Sequence, residues 1–229
     1  MGITLGPGQA ELHLHLSGAL WWPAERMVIV SDLHLEKGSA FAARGVLLPP
    51  WDTAETLKRL AAVCEKLRPR TVLALGDSFH DGGGSARLHG EDRRMLRNLM
   101  TGRNWVWLTG NHDPAPPDGL GGECMDSLER GGLTFRHEPL AGPAPGEVAG
   151  HLHPAAAVRR RGRRVRRRCF AGDGARLVMP AFGAYTGGLD VTDAAFAPLF
   201  AEGFTAWLLG RERLYPVTNG RRKSESSPP

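Results

Sequence analysis

Four short segments of this chain carry side chains that bind metal ions: Ser31-Asp32-Leu33-His34, Gly76-Asp77-Ser78-Phe79-His80-Asp81, Gly110-Asn111-His112-Asp113 and Gly150-His151-Leu152-His153. An isolated His137 falls between the last two. Together they offer enough carboxylate, carboxamide and imidazole donors for two ions. A pair of divalent cations activates water and stabilises charge on a phosphoryl group, so the set points to metal-dependent phosphoester hydrolysis. Asp32 and His34 stand two residues apart, as do His151 and His153. In extended chain such positions face the same way, so each pair is expected to reach one ion. Asp77 is suited to bridge two ions through its two oxygens, and Asn111 offers an amide oxygen. Mixed nitrogen and oxygen donors favour Mn²⁺, Fe²⁺ or Zn²⁺ over Ca²⁺ or Mg²⁺.

The elements that must carry these residues alternate between buried strands and helices. Met27 to Val30 reads as a strand running into Asp32, Thr71 to Leu75 as one running into Asp77, and Trp105 to Leu108 as one running into Asn111. Between them, Trp51 to Leu67 has Leu57, Leu60, Ala61, Cys64 and Leu67 at helical spacing, with Asp52 and Glu55 patterned as a capping box. Glu91 to Met100 reads as a second helix closed by Gly102. Parallel strands joined by helices put their C-terminal ends on one edge of a sheet, where sites in α/β folds form. The second half is richer in strand signals. Leu133 to Glu138 is a strand carrying His137, and Ala157 to Arg168 reads as strand-turn-strand about Gly162. Asp173-Gly174 is a hairpin turn, and Phe204 to Leu209 with Arg213 to Val217 forms a last hairpin about Gly210. One domain is expected over residues 1–217, with a polar, disordered tail over 218–229.

Composition narrows the class. The 229 residues are 41% hydrophobic and 23% charged, which suits a globular domain. No apolar run approaches the ~20 residues of a membrane span, and no basic-then-apolar leader opens the chain. Three scattered cysteines, with no Cys-x-x-Cys, argue against a disulfide framework or a thiolate zinc site and fit a reducing cytoplasm. The net charge of +5 is unevenly spread. Arg159, Arg160, Arg161, Arg163, Arg164, Arg166, Arg167 and Arg168 contribute eight positive charges, leaving 5 − 8 = −3 for the remainder. That cluster fits a phosphate-backbone clamp; a charged edge strand is the plainer alternative.

Asp-x-His, Gly-Asp, Gly-Asn-His-Asp, a later His and Gly-His-x-His in this order resemble the signature of the calcineurin-like metallophosphoesterases. The resemblance implies a β-sandwich flanked by α-helices, with a dinuclear metal site at strand C-terminal ends. It implies one ion held by Asp32, His34, Asp77 and His153, and a second by Asp77, Asn111, His137 and His151. His112 is then free to act on the diester, donating to the leaving oxygen, with Asp113 as its possible support or as a turn residue. His80 stands where many phosphatases of the superfamily carry Asp, and its segment resembles that of the double-strand-break repair nucleases. A second imidazole there is read as catalytic.

Further segments resemble the bacterial ligase-associated DNA-damage-response endonucleases, the PdeM family. These are Gly18-Ala19-Leu20-Trp21-Trp22-Pro23, Leu33-His34-Leu35-Glu36-Lys37-Gly38, Leu48-Pro49-Pro50 and Met179 to Gly188. That resemblance implies a manganese-dependent DNA endonuclease in repair, acting on single-stranded or distorted DNA. It also implies functional association with an ATP-dependent DNA ligase, a helicase and an exonuclease. The rival readings are a nucleotide-sugar or lipid pyrophosphatase, which would carry Arg at the His112 position and an apolar cap, and a metal-free scaffold, which would have lost ligands. Phe182 and Tyr185 are candidates to stack on bases or to pack in the core. His13 and His15, alternating with leucines, are assigned to the polar face of a strand.

Overall fold

The computed structural model describes residues 1–219 except 89, 116, 118 and 161, and at 160 the backbone alone. Strands are β1 (Gly2–Leu5), β2 (Ala10–Leu14), β3 (Leu20–Trp22), β4 (Met27–Val30), β5 (Thr71–Ala74), β6 (Asn104–Leu108), β7 (Glu123–Met125), β8 (Ser127–Arg130), β9 (Leu133–Arg136), β10 (Glu147–Ala149), β11 (Pro154–Arg160), β12 (Arg163–Gly172), β13 (Leu177–Val178), β14 (Leu189–Asp190), β15 (Phe204–Leu209) and β16 (Leu214–Asn219). Helices are α1 (Lys37–Ala42), α2 (Asp52–Leu67), α3 (Gly84–Arg87) and α4 (Gly90–Met100), with a 3₁₀ turn at Ala194–Phe196.

These strands make two sheets. The first runs β1 to β7 in sequence order, antiparallel from β1 to β4 and parallel from β4 to β7. The second has the order β14-β11-β12-β13-β10-β9-β8, with β15 joined to β12 and β16 to β15. Strand alternation explains why both faces of the first sheet are apolar. Met27, Ile29, Leu73, Val106 and Leu108 meet Phe135, Val148, Phe170 and Leu177 of the second sheet in the central core. Val28, Val30, Val72, Ala74, Trp105 and Trp107 point the other way and pack on Leu57, Leu60 and Cys64 of α2 and Leu96 and Leu99 of α4. A third cluster, with Phe196, Leu199 and Phe200, covers the outer face of the second sheet. The fold is thus a β-sandwich flanked by helices.

Several expectations need adjusting. Asp52 lies inside α2 rather than capping it; Trp51 is the N-cap, and the Asp52 carboxylate instead accepts the Gly38 N–H at 3.2 Å. His137 follows β9 instead of lying within it. Phe182 is fully buried with the α2–α4 core, so no face is free for a base. Thr218 and Asn219, assigned to the tail, complete β16, where the Thr218 and Thr205 hydroxyls lie 3.2 Å apart. The rest of that tail, 220–229, lies outside the described residues. No described helix is long and apolar enough to cross a membrane.

Candidate metal centre

The ends of β4, β5, β6 and β10 converge on one rim, each through a turn that its residues tightly constrain. A Cβ on Gly76 would meet the His137 ring at 2.6 Å; one on Gly110 would meet the Asp77 amide and carboxylate at 2.3 Å. Gly150 lies against Ser31 and Asp32 in the same way. The residues after the strands adopt left-handed backbone: Asp32 (φ 52°), His34 (44°), Asp77 (46°), His151 (65°) and His153 (46°). Side chains two apart therefore do not share a direction through extended geometry, as the spacing argument assumed. Strain of this kind persists only where surrounding contacts over-determine it. Here those contacts are visible: the His34 N–H donates to the Asp77 carbonyl at 2.9 Å, and Phe182 and Gly183 N–H groups donate to the Ser31 and Asp32 carbonyls.

Two donor clusters that contain a carboxylate result, beside an all-histidine group of His34, His80 and His112. Asp32, His34 and His153 form one; Asp77, His137 and His151 form the other, with donor atoms in each lying within 4.8 Å of one another. The turn at Gly150 thus sends His151 and His153 to different clusters, where spacing alone had suggested one shared ion. In the first, the Nε2 atoms of His34 and His153 face each other at 3.4 Å, and Asp32 Oδ1 is 3.0 Å from His153. In the second, Asn111 Oδ1 lies 2.9 Å from His137 Nε2 and 3.0 Å from His151 Nδ1. Asp77 stands between them. Its Oδ1 is 3.4 Å from His137 Nε2, and its Oδ2 is 3.8 Å from His34 Nε2. Such convergence of lone pairs on two small volumes fits a pair of divalent cations.

The electrostatics agree with that fit. Burial works against the charged His137 ring, but the Asp77 and Asp32 carboxylates outweigh it and raise its pKa to about 9. Burial likewise opposes ionisation of Asp77, yet contact with His137 brings it down to about 2. His34 is pushed down to about 3 by burial, despite both carboxylates, and so is neutral and able to ligate. His137 Nδ1 donates to the Leu75 carbonyl at 2.8 Å, which leaves Nε2 as the nitrogen facing the cluster.

A row of rings leads away from this floor. His112 Nδ1 donates to the His80 carbonyl at 2.8 Å, and the two rings stack with centroids 5.3 Å apart. His112 Nε2 is thereby turned to Asp77 Oδ2, 3.9 Å away. Its side chain is 39% exposed where Asp77 is 3% exposed, so the floor is closed and the mouth open. His80 Nδ1 lies 3.5 Å from His34 Nδ1. Burial, then the nearby cations, lowers the His80 pKa, which keeps it a neutral acceptor. Asp113 turns away from His112: its Oδ2 accepts the Ser78 and Phe79 N–H groups at 2.8 and 3.0 Å, anchoring the loop that presents Asp77. Burial raises its pKa to about 7.

The arginine run forms the β11–β12 hairpin, turning at Gly162 (φ 74°). Its members divide. Arg168 donates to the Ala181 carbonyl at 2.6 Å and the Phe182 carbonyl at 3.3 Å, Arg166 to the Gly188 carbonyl, and Arg164 lies 3.9 Å from Asp190. Arg59 also donates to the Phe182 carbonyl at 2.9 Å. These groups hold the loop that buttresses Asp32, a role with no signal in the arginine pattern. Arg159, Arg163 and Arg167 are exposed. Arg160 ends β11, its side chain outside the description, and Arg161 lies outside the described residues.

A sandwich with parallel strand ends supplying His, Asp and Asn to two adjacent clusters defines a metallophosphoesterase. The chain belongs to the calcineurin-like phosphoesterases, whose family model matches residues 25–167. It is similar to the crystal structure of the Pseudomonas putida nuclease MPE, with TM-score 0.72 and 25% identity over 95% of this chain and 100% of that one. Yfce, a phosphoesterase from E. coli, aligns with TM-score 0.42 and 14% identity over 83% of this chain and 97% of that one. No curated protein matches. The chain is a hydrolase of phosphoester bonds, with His and Asp groups able to hold the divalent metal ions that its family uses.

Proposed function

We propose that this hydrolase is a DNA endonuclease, cleaving single-stranded or distorted DNA in DNA repair. The observation that carries this reading is the His80–His112 ring pair, half-exposed at the mouth beside two donor clusters. Likeness to a nuclease over nearly the whole chain supports it. Asp32, His34, Asp77 and His153 would hold one cation, and Asp77, Asn111, His137 and His151 the other, Mn²⁺ being preferred and Fe²⁺ or Zn²⁺ compatible with the donors. Bound there, the pair lowers the pKa of water and neutralises phosphoryl charge. With its Nε2 turned to the cluster, His34 would donate a hydrogen bond from Nδ1–H to His80 Nδ1, 3.5 Å away, which orients the His34 ring. His112 has Nδ1 committed to the His80 carbonyl, so Nε2 is the atom placed to donate to the leaving oxygen. Arg159, Arg163 and Arg167 would meet the backbone of the strand outside the mouth. The three free cysteines are compatible with a reducing cytoplasm. A ligase, helicase and exonuclease as functional associates rest on the PdeM resemblance alone.

The test is digestion of end-labelled single- and double-stranded DNA after chelation and metal return. Cleavage should vanish with chelator and return with Mn²⁺, fastest on the single strand. Faster turnover of a nucleotide-sugar diphosphate than of any DNA would overturn the assignment.

A further inference from the structure

The row of rings does not end at His80. Phe41, in the last turn of α1, lies with its centroid 5.5 Å from His80 at an interplanar angle of 32°. His80 in turn lies 5.3 Å from His112 at 26°. Three offset rings thus run outward from the donor clusters, imidazoles inside and a hydrocarbon ring at the outer end. Phe41 is half-exposed. One helical turn before it, Lys37 Nζ lies 5.9 Å from the Phe41 centroid and donates to the Tyr185 carbonyl at 3.1 Å. That bond fixes an ammonium between two aromatic residues, and Tyr185 is itself 36% exposed.

Packing explains why Phe41 sits beside His80 but not why its ring is left half-open next to the Lys37 ammonium. An aromatic wall beside a fixed cation, continuous with the reacting site, matches a nucleotide: flat base on the ring, anionic phosphate on the cation. A base inside a duplex has both faces covered by its neighbours, so only an unpaired or extruded base reaches such a wall.

Resting on the endonuclease reading above, we infer that Phe41 and Tyr185, with Lys37, form a subsite for the unpaired nucleotide flanking the scissile phosphate on the His112 side. Phe41 stacks on the base, Lys37 neutralises the adjoining phosphate, and the subsite aligns the strand so that His112 meets the leaving oxygen.

The experiment uses the full chain loaded with Mn²⁺ and end-labelled single strands, either intact or carrying one abasic residue at a known position. In the wild type, bonds on one side of the gap should be cut about tenfold more slowly than the same bonds in the intact strand. Phe41→Ala should slow cleavage of the intact strand by a similar factor and make the ladder insensitive to the gap. Phe41→Trp should restore both behaviours. Phe41→Leu separates stacking from packing: it should behave as Phe41→Ala if the ring binds a base, and as wild type if Phe41 only fills space, which would overturn the subsite. Lys37→Met should raise KM and flatten its salt dependence. A wild-type enzyme that cuts intact and abasic strands alike sinks the subsite while leaving the nuclease standing. One that cuts no strand with Mn²⁺, Fe²⁺ or Zn²⁺ sinks the nuclease reading and the subsite together.

Discussion

The candidate metal centre and the basic hairpin each gather many charged groups, and they are built in opposite ways. Of the nine non-glycine residues with positive φ among the described residues, five are candidate ligands at the centre. Glycines there leave no room for a methyl group, and Asp32 and Asp77 are buried. At the hairpin tip, a Cβ on Gly162 would meet nothing within 4 Å, and Arg163 and Arg167 stand in solvent. The first arrangement fixes geometry at the cost of strain; the second supplies a field and leaves geometry free. Substitutions should therefore be severe in the first and mild in the second, with Arg168 as the exception that links them.

The sharpest break should come from Asp77→Ala. It removes the carboxylate that faces both clusters, so metal content measured by elemental analysis should fall and hydrolysis should drop to background. His112→Ala should keep the metal, since that ring lies outside the two carboxylate-bearing clusters, and lower kcat by about 10²- to 10⁴-fold. Cleavage undiminished by that change would contradict the role given to Nε2.

Proton competition at the same centre gives a smaller, graded effect. His137 has its pKa raised from 6.5 to about 9. Its contribution to the stability of the metal-free protein is then fully present below about pH 6.5 and lost as pH rises through about 9. A cation must displace that proton, so metal affinity should climb over the same window. Calorimetric titration near pH 7.5 in buffers of different ionisation enthalpy should detect proton release, and none would mean that His137 is not a ligand.

The hairpin should divide along its length. Arg168→Ala removes charge-assisted bonds to the loop behind Asp32 and should lower unfolding free energy by about 2 kcal/mol in denaturant melts. Arg163→Ala with Arg167→Ala should move stability by less than about 0.5 kcal/mol. The pair should instead reduce the slope of log affinity against log salt for single-stranded DNA by about 1.4, near 0.7 for each lost phosphate contact. Equal stability losses in the two variants would erase the distinction between the ends of the hairpin.

The sequence by itself determined the parallel β4-β5-β6 core, because apolar strands alternating with helical periods permit little else. It also marked the candidate ligands, because each stands beside a strand end or a glycine turn whose residue types have few other uses. Spacing by itself did not determine which ligand goes with which cluster; only the motif resemblance set His153 with Asp32 and His34, and His151 with His137. His151 and His153 part company because left-handed backbone after Gly150 rotates neighbouring side chains apart, a torsion that spacing cannot encode. Nor could eight similar arginines reveal that Arg168 is tied to the Ala181 and Phe182 carbonyls while Arg167 is not. Those partners lie in a loop at other positions in the chain, and only packing of the second sheet brings them within reach. Phe41 was silent for the same reason. A phenylalanine at the end of a short helix has no chemistry of its own until folding places it against His80.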